Sequence, residues 1–373
     1  MGLGQRRPQF LAGRPRWALA ARDGPHPPER RIASARDVCA TATHHTACRV
    51  LHRAGMSIQW YPGHMAKARR AIATAFPAQD VIIEVLDARM PHSSSNPVVT
   101  ELRGQKPCIK ILSKADLADP EVTKTWLRYL AAPNEVATSN LAHGQVVAIT
   151  SSIERFAETK NRIPELCKRL TGRSTQNKRP VRAMVVGIPN VGKSTLVNLL
   201  MGRKVAKVGD EPAVTKAQQQ VVLQSGIVLS DNPGLLWPNI SEERTGFRLA
   251  LGGAIADAAL EYENVARFGA ELLLTRYPTF VRTRYKLTVL PANGDALLRE
   301  IGRRRGCLRK DSVIDMHKAS DVLIHDFRNG AIGRISLETP GERLEDSGPS
   351  PSGPDLDLAP LLCDEIATAR ESD

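Results

Sequence analysis

The run Gly187-Ile188-Pro189-Asn190-Val191-Gly192-Lys193-Ser194-Thr195 constrains this chain more than any other stretch. It fits the phosphate-loop pattern G-x-x-x-x-G-K-[ST] at Gly187, Gly192, Lys193 and Ser194. The preceding VRAMVVG reads as a buried strand and the following TLVNLLMG as a helix start, which is the context the pattern requires. Glycines let successive backbone N–H groups converge on an anion, and the helix adds the positive end of its dipole. Lys193 would reach the β- and γ-phosphates, and the Ser194 hydroxyl would ligate Mg²⁺. The chain is therefore expected to bind a nucleoside triphosphate.

Upstream of the loop, DVIIEVLDARMP (80–91) reads as a buried strand with a polar end, and Cys108 to Leu112 as a second. A helix is expected around Val122 to Leu130, then a third strand in QVVAITSS. A basic amphipathic helix is expected from Lys67 to Phe76. Strands alternating with helices predict a parallel sheet covered on both faces, an α/β three-layer sandwich of the P-loop NTPase kind. Downstream, QVVLQ and GIVLSDNPG form a hairpin-like pair. The second strand delivers Asp231-Asn232-Pro233-Gly234, a D-x-x-G. In nucleotide switches this Asp holds Mg²⁺ through water and the Gly N–H senses the γ-phosphate.

Four regions are expected. Residues 1–55 are rich in Arg, Pro, Ala and His and contain no Lys. They read either as an organellar transit peptide or as sequence upstream of a wrongly assigned start, and as disordered in both cases. Residues 56–240 would form the nucleotide-binding domain. Residues 241–340 have helical spacing and would form a small helical domain, and the acidic Pro/Ser/Gly-rich tail, 341–373, would be disordered. The helical region carries basic runs at Arg282, Arg284 and Lys286, and at Arg303, Arg304, Arg305, Arg309 and Lys310. With a net charge of +13, these favour a polyanionic partner, although a solvated helix face has the same appearance. No run approaches the roughly 18 apolar residues of a membrane span. The six cysteines lack CxxC or His spacing and read as incidental thiols of a reducing compartment.

Guanine is usually selected by a carboxylate that accepts from the base N1–H and N2–H₂, with a Lys stem against the ring. Lys114 and Asp116, in Ser113-Lys114-Ala115-Asp116, supply that pair at a strand end. Thr150 and Ser151, at the end of the third strand, are assigned to the same nucleotide site, with Val191 and Gly234. In a conventional GTPase the base motif follows the phosphate loop; here it precedes it. The order base motif, phosphate loop, switch, D-x-x-G is that of a circularly permuted GTPase. Permutation is tolerable because sheet contacts do not depend on where the termini lie.

With WYPGHMAKARR, LDARMP, SKADLADP, GIPNVGKST, VGDEPAVTK and DNPG in that order, the chain resembles the YlqF/RbgA family of circularly permuted ribosome-assembly GTPases, including its mitochondrial relatives. The resemblance runs from about Met56 to about Pro340. It implies GTP hydrolysis coupled to late maturation of the large ribosomal subunit, and a helical domain that touches ribosomal RNA. By position, it gives Lys193, Ser194 and Thr195 to phosphate and Mg²⁺, makes Thr215 the switch threonine, and makes Asp231 its water-mediated partner. It nominates His64 as the catalytic histidine, since a neutral imidazole can orient or accept from water; a helix cap or an RNA contact is the alternative. Asn190 stands where potassium-stimulated relatives place a K⁺ ligand, and loop bracing is its alternative. The family departures are Ser113 in place of Asn and Ala213 in place of Gly. Leu235 follows the D-x-x-G where Ras-like enzymes place a water-orienting Gln.

The expected cofactors are Mg²⁺ and K⁺, and the expected partners are GTP or GDP and the large subunit with its RNA. A monomer in the cytoplasm is expected, or in mitochondria if the leader is a transit peptide. A nucleotide-gated RNA-binding scaffold without hydrolysis and an ATP-dependent phosphotransferase remain as alternatives.

Overall fold

Val81–Asp87 is buried along its whole length and forms the first strand, β1. The computed structural model describes residues 63–131, 145–152, 155–173, 179–203, 219–223, 225–237, 240, 242–255 and 261–342. The leader, the switch segment that contains Thr215, and the tail beyond Glu342 lie outside the described residues. Among those described, six strands form one sheet: β1, β2 (Cys108–Ser113), β3 (Val146–Thr150), β4 (Val181–Val186), β5 (Gln219–Val222) and β6 (Ile227–Asp231). Their order is β3-β2-β1-β4-β6-β5. All neighbours are parallel except β5 and β6, which form the expected antiparallel hairpin. The order reverses between β1 and β4. In an open α/β sheet, a ligand crevice opens at that reversal, beyond the carboxyl ends of the strands.

The strands are the apolar runs expected of a sheet covered on both faces. Two facing charges within the sheet neutralise each other. Glu84 on β1 stands in register with Lys110 on β2, and their charged atoms meet at 2.7 Å. The helices of this part are α1 (Gly63–Ala75), α2 (Pro97–Arg103), α3 (Pro120–Ala131), α4 (Phe156–Thr171) and α5 (Lys193–Met201). α1 starts before the expected Lys67 and packs Ile72 into the core. α2 is capped by Asn96, whose side chain accepts from the Val98 N–H, and has Pro97 in its first turn, where no N–H is needed. Cys108 and Cys167 are buried free thiols, pushed up by burial to about 11 and about 12, so they are poor nucleophiles.

Beyond β6 the described chain is helical: α6 (Glu243–Leu251), α7 (Tyr262–Arg276), α8 (Pro278–Tyr285), α9 (Gly294–Arg305) and α10 (Met316–Arg328). Leu249, Val265, Ala270, Leu273, Leu298, Ile301, Leu323 and Phe327 are buried in their shared core. Asn293 and Asp315 cap α9 and α10 by accepting from Ala296 and Lys318 N–H groups. No described helix is long and apolar enough to cross a membrane.

The segment after α10 returns to the sheet. Ile335 N–H donates to the Leu117 carbonyl at 2.9 Å, and Leu337 N–H to the Arg89 carbonyl at 2.7 Å. Arg334 donates to the carbonyls of Ala115 and Ala118, within and just after the SKAD motif. The Glu338 carboxylate is 1% exposed. It accepts from the His92 and Ser93 N–H groups and the Ser93 hydroxyl, and it pairs with buried Arg248 at 3.3 Å. Such a charge is tolerable only because it is paired and fully hydrogen-bonded. Replacing Glu338 by Ala should therefore lower the free energy of unfolding by at least about 1–3 kcal/mol, because the His92 and Ser93 donors lose their acceptor while Arg248 keeps Glu342 at 2.9 Å. Urea denaturation followed by circular dichroism measures this; a loss below about 1 kcal/mol would mean that the pair contributes no more than a surface ion pair.

Candidate functional site

The loop between β4 and α5 begins with a close approach. Gly187 has φ 150°, and a Cβ there would lie 2.5 Å from the Val85 carbonyl oxygen on β1. Gly192 has φ 99° and caps α5, so the helix starts at Lys193 and its first turn stands at the loop. Lys193 is buried and donates to the Ile188 carbonyl, 2.7 Å away within the same loop. Burial pulls its ammonium down to about 8, against the opposing pull of Asp231. Ser194 is half-buried and Thr195 exposed in the first turn of α5.

Asp231 ends β6 and is 1% exposed. Neither of its carboxylate oxygens has a hydrogen-bond partner among the described residues. Burial raises its pKa, and Lys193 opposes the rise. An orphaned buried carboxylate beside the phosphate loop has the chemistry of a cation site, and Ser194 and Asp231 fit Mg²⁺ on that ground. The turn after Asp231 is pinned to the loop. A Cβ on Gly234 would lie 2.6 Å from Pro189 Cα, and Leu235 N–H donates to the Gly187 carbonyl at 3.2 Å. Asn96 holds the same turn from the other side by donating to the Leu235 carbonyl at 2.8 Å. The Leu235 side chain is 1% exposed and packs into the core.

The base motif sits at the end of β2. Lys114 takes the left-handed conformation, φ 54°. Asp116 is half-buried, and its Oδ1 has no partner among the described residues, which suits an acceptor for base N–H groups. Ser113 does tie this motif to the phosphate loop. Its hydroxyl lies 2.6 Å from the Val191 carbonyl and 2.8 Å from the Leu86 carbonyl. A hydroxyl has one proton, so the two acceptors share it, where an Asn amide would offer two donors. Ser151, at the end of β3, is joined to the motif by the Ala115 N–H, which donates to the Ser151 carbonyl, and Thr150 lies beside it.

The structure thus brings Ser113, Lys114, Asp116, Thr150, Ser151, Asn190, Val191, Gly192, Lys193, Ser194, Thr195, Asp231 and Gly234 to the carboxyl ends of β2, β3, β4 and β6. Thr215 lies outside the described residues. His64 falls in the first turn of α1, where only the backbone is described.

The LDARMP run has no task that the sequence alone assigns. In the structure Asp87, 1% exposed, accepts from the Arg89 N–H and guanidinium and pairs with Lys114 at 3.0 Å. Burial alone would raise the Asp87 carboxyl; the Arg89 and Lys114 charges hold it well below the usual carboxylate range. An acidic residue closing an otherwise apolar strand is the signal that marks it in the sequence.

A family model described as 50S ribosome-binding GTPase matches residues 182–266. The chain is 40% identical over 295 residues to a Bacillus cereus protein named ribosome biogenesis GTPase A, covering 78% of this chain and 98% of that protein. It is 32% identical over 301 residues to a mouse protein named mitochondrial ribosome-associated GTPase 1, covering 75% and 90%. Among solved structures it is similar to GNP-bound YlqF from T. maritima, with 25% identity and a TM-score of 0.51 over 74% of this chain and 98% of that one.

The packing of Gly234 on Pro189 yields a direct test. A methyl group at 234 has no space without displacing loop backbone. Gly234→Ala should weaken binding of a fluorescent guanine nucleotide by about tenfold or more, with the far-ultraviolet circular dichroism spectrum unchanged. Equal titration curves for the two proteins would disprove the tight approach.

Proposed function

This chain belongs to the YlqF/RbgA family, the ribosome biogenesis GTPase A family, and from that premise we propose that it hydrolyses GTP as an assembly factor for late maturation of the large ribosomal subunit. The observation that supports the reading best is the convergence of permuted base, phosphate and switch motifs at one end of one sheet, with the polar atoms Asp116 Oδ1 and the Asp231 oxygens left for a nucleotide and its cation.

In this reading Asp116 accepts from the guanine N–H groups and Lys114, fixed by Asp87, lays its stem along the base. The N–H groups of the Gly187–Thr195 loop and the start of α5 bind the phosphates, and Lys193 leaves the Ile188 carbonyl to pair with them. Mg²⁺, when bound, offsets charge on the phosphate oxygens; Ser194, Thr215 and Asp231 would hold it. Buried Leu235 offers no hydrogen bond to water, so His64 is assigned the task of orienting the attacking water. Asn190 is assigned to a K⁺ ion that offsets charge developing between phosphates.

Residues 56–240 serve as the GTPase domain and 241–340 as the ribosomal-RNA face. Support for that face comes from the exposed Arg282, Lys286, Arg303, Arg304, Arg305, Arg309 and Lys310. Several are partly neutralised: Arg303 and Arg304 pair with Glu300, and Arg284 and Arg305 with Asp326. Arg282, Lys286 and Lys310 therefore carry most of the charge available to phosphate. The burial of Leu235 favours one second reading, a nucleotide-gated RNA scaffold without hydrolysis.

The test is GTP turnover by the full chain, with and without purified large subunits, in potassium and in sodium. Stimulation by subunits of roughly tenfold or more, and its loss in His64→Ala, is expected; flat, negligible turnover in every condition would leave the scaffold. A second measurement addresses the base. Asp116→Asn should lower kcat/KM for GTP on the order of 10²-fold and raise it for xanthosine triphosphate. An unaltered GTP preference would remove Asp116 from the site.

A further inference from the structure

Two helices of the C-terminal region end in carbonyl groups that receive arginines. Arg89, in the loop after β1, donates to the Phe327 and Arg328 carbonyls at 3.4 and 3.5 Å, at the end of α10. Its guanidinium lies 4.7 Å from the centre of the Phe327 ring. Arg328, the last residue of α10, donates to the Leu251 and Ala250 carbonyls at 3.2 and 3.0 Å, at the end of α6. Each guanidinium meets the negative end of a helix dipole, where a cation is favoured.

The turn beyond α6 leads to the phosphate loop. Gly253 has φ 80°, and a Cβ there would lie 3.3 Å from Arg328 Nε. The Gly253 carbonyl accepts from the Asn190 side-chain amide at 2.9 Å. A carbonyl can only accept, so the Asn190 nitrogen must face it and the amide oxygen is turned away from it. Asn190 itself has φ 54°, a backbone state that a side-chain hydrogen bond helps to hold. The contacts therefore run from Lys114 through Asp87 and Arg89 to α10, and from Arg328 through the α6 turn to Asn190. The helical region joins the base motif to the phosphate loop by a route separate from the Ser113–Val191 contact.

We propose that Arg328 is a positioning residue for the nucleotide site: by holding the α6 turn at Gly253 it orients the Asn190 side chain and so fixes the phosphate loop. The proposal rests on the reading of Gly187–Thr195 as the nucleotide site. Its physical content is coupling. A displacement of α10 moves the carbonyl to which Asn190 is tied, and nucleotide retention changes with it.

A double-mutant cycle tests it, with dissociation of N-methylanthraniloyl-GDP from the full chain as the readout. Asn190→Ala and Arg328→Met should each speed dissociation by roughly five- to tenfold. The double variant should be no faster than the faster single one, because Arg328 acts through Asn190. Multiplied effects, or a rate unchanged by Arg328→Met, would overturn the proposal, since a general loosening of the fold acts independently of Asn190. If Arg328→Met does not fold, Gly253→Ala perturbs the same turn from the other side and should give the same non-additive pattern with Asn190→Ala; additivity there overturns the proposal equally. Failure of the underlying reading shows itself differently: the unaltered chain would give no saturable signal with the labelled nucleotide, and the proposal would fall with it. Turnover in potassium and sodium is measured alongside. An Asn190→Ala protein with unchanged ion response removes the K⁺ assignment, while the dissociation cycle still decides the positioning role.

Discussion

A buried carboxylate at the end of β1 carries the architecture of the site. Asp87 faces Lys114 from the base motif and Arg89 from its own loop, and water reaches almost none of it. A lone carboxylate in that place would be protonated or would expel the structure around it. With two cations it stays ionised, and its charge fixes both of them. Lys114 is thereby held in a left-handed backbone conformation at the mouth of the base site. Arg89 is turned toward the C-terminal helices, where its remaining donors find the last carbonyls of α10. The Leu337 N–H returns to the Arg89 carbonyl, so side chain and backbone of one residue hold the same distant segment. Buried pairs of this kind give less net stability than their distances suggest, because desolvation opposes the attraction. Their contribution is a single geometry, since any alternative leaves a charge unpaired.

The same geometry accommodates the permuted order of motifs. The sheet reverses direction between β1 and β4, and the base motif and the phosphate loop approach the crevice from opposite sides. Whichever half comes first in the chain, the same strand ends meet. Permutation alters the segment that lies downstream of the D-x-x-G turn. Here the chain leaves β6 and runs, through the turn pinned by Asn96 and Gly187, into α6. The carbonyl end of α6 then returns to the phosphate loop at Asn190. The D-x-x-G turn and the helical region are thus adjacent in the chain, and the helical region touches the phosphate loop again in space, so a change at one has a short mechanical path to the other.

The sequence made the strands, the phosphate loop and the hairpin legible because each is local: an apolar run, a glycine spacing, a pair of runs around Gly226. Much of the base motif was equally local. The contacts that hold these parts together were not. Arg89 meets Phe327 at a separation of 238 residues, and nothing in either neighbourhood marks the other. The strap at Ile335 and Leu337 is a brief polar–apolar alternation that does not say which segment it meets, yet its N–H groups donate to the carbonyls of the loops at Leu117 and Arg89. α4 carries Pro164 within it, which argues locally against a helix; burial of Ile163, Leu166 and Cys167 against the sheet overrides that preference. Ser113 shows the opposite kind of limit. Its departure from Asn is visible in the sequence, but only the fold shows the hydroxyl spanning the Val191 and Leu86 carbonyls.

Leu235 bears on how such a site can be controlled. In a turn where a Gln would reach water, the apolar side chain is instead withdrawn into the core, and the turn's backbone is tied to Asn96 and Gly187. Leu235 cannot supply a water-orienting group, because its side chain has no polar atom. In the proposed reading that group comes from another element, His64 of α1. A site divided in this way is active only when the separate element is in place. On that reading, whatever positions that element would govern the rate, whereas nucleotide affinity would depend on loops braced by Ser113, Asp87 and the helical region, so that binding and hydrolysis would be open to separate control.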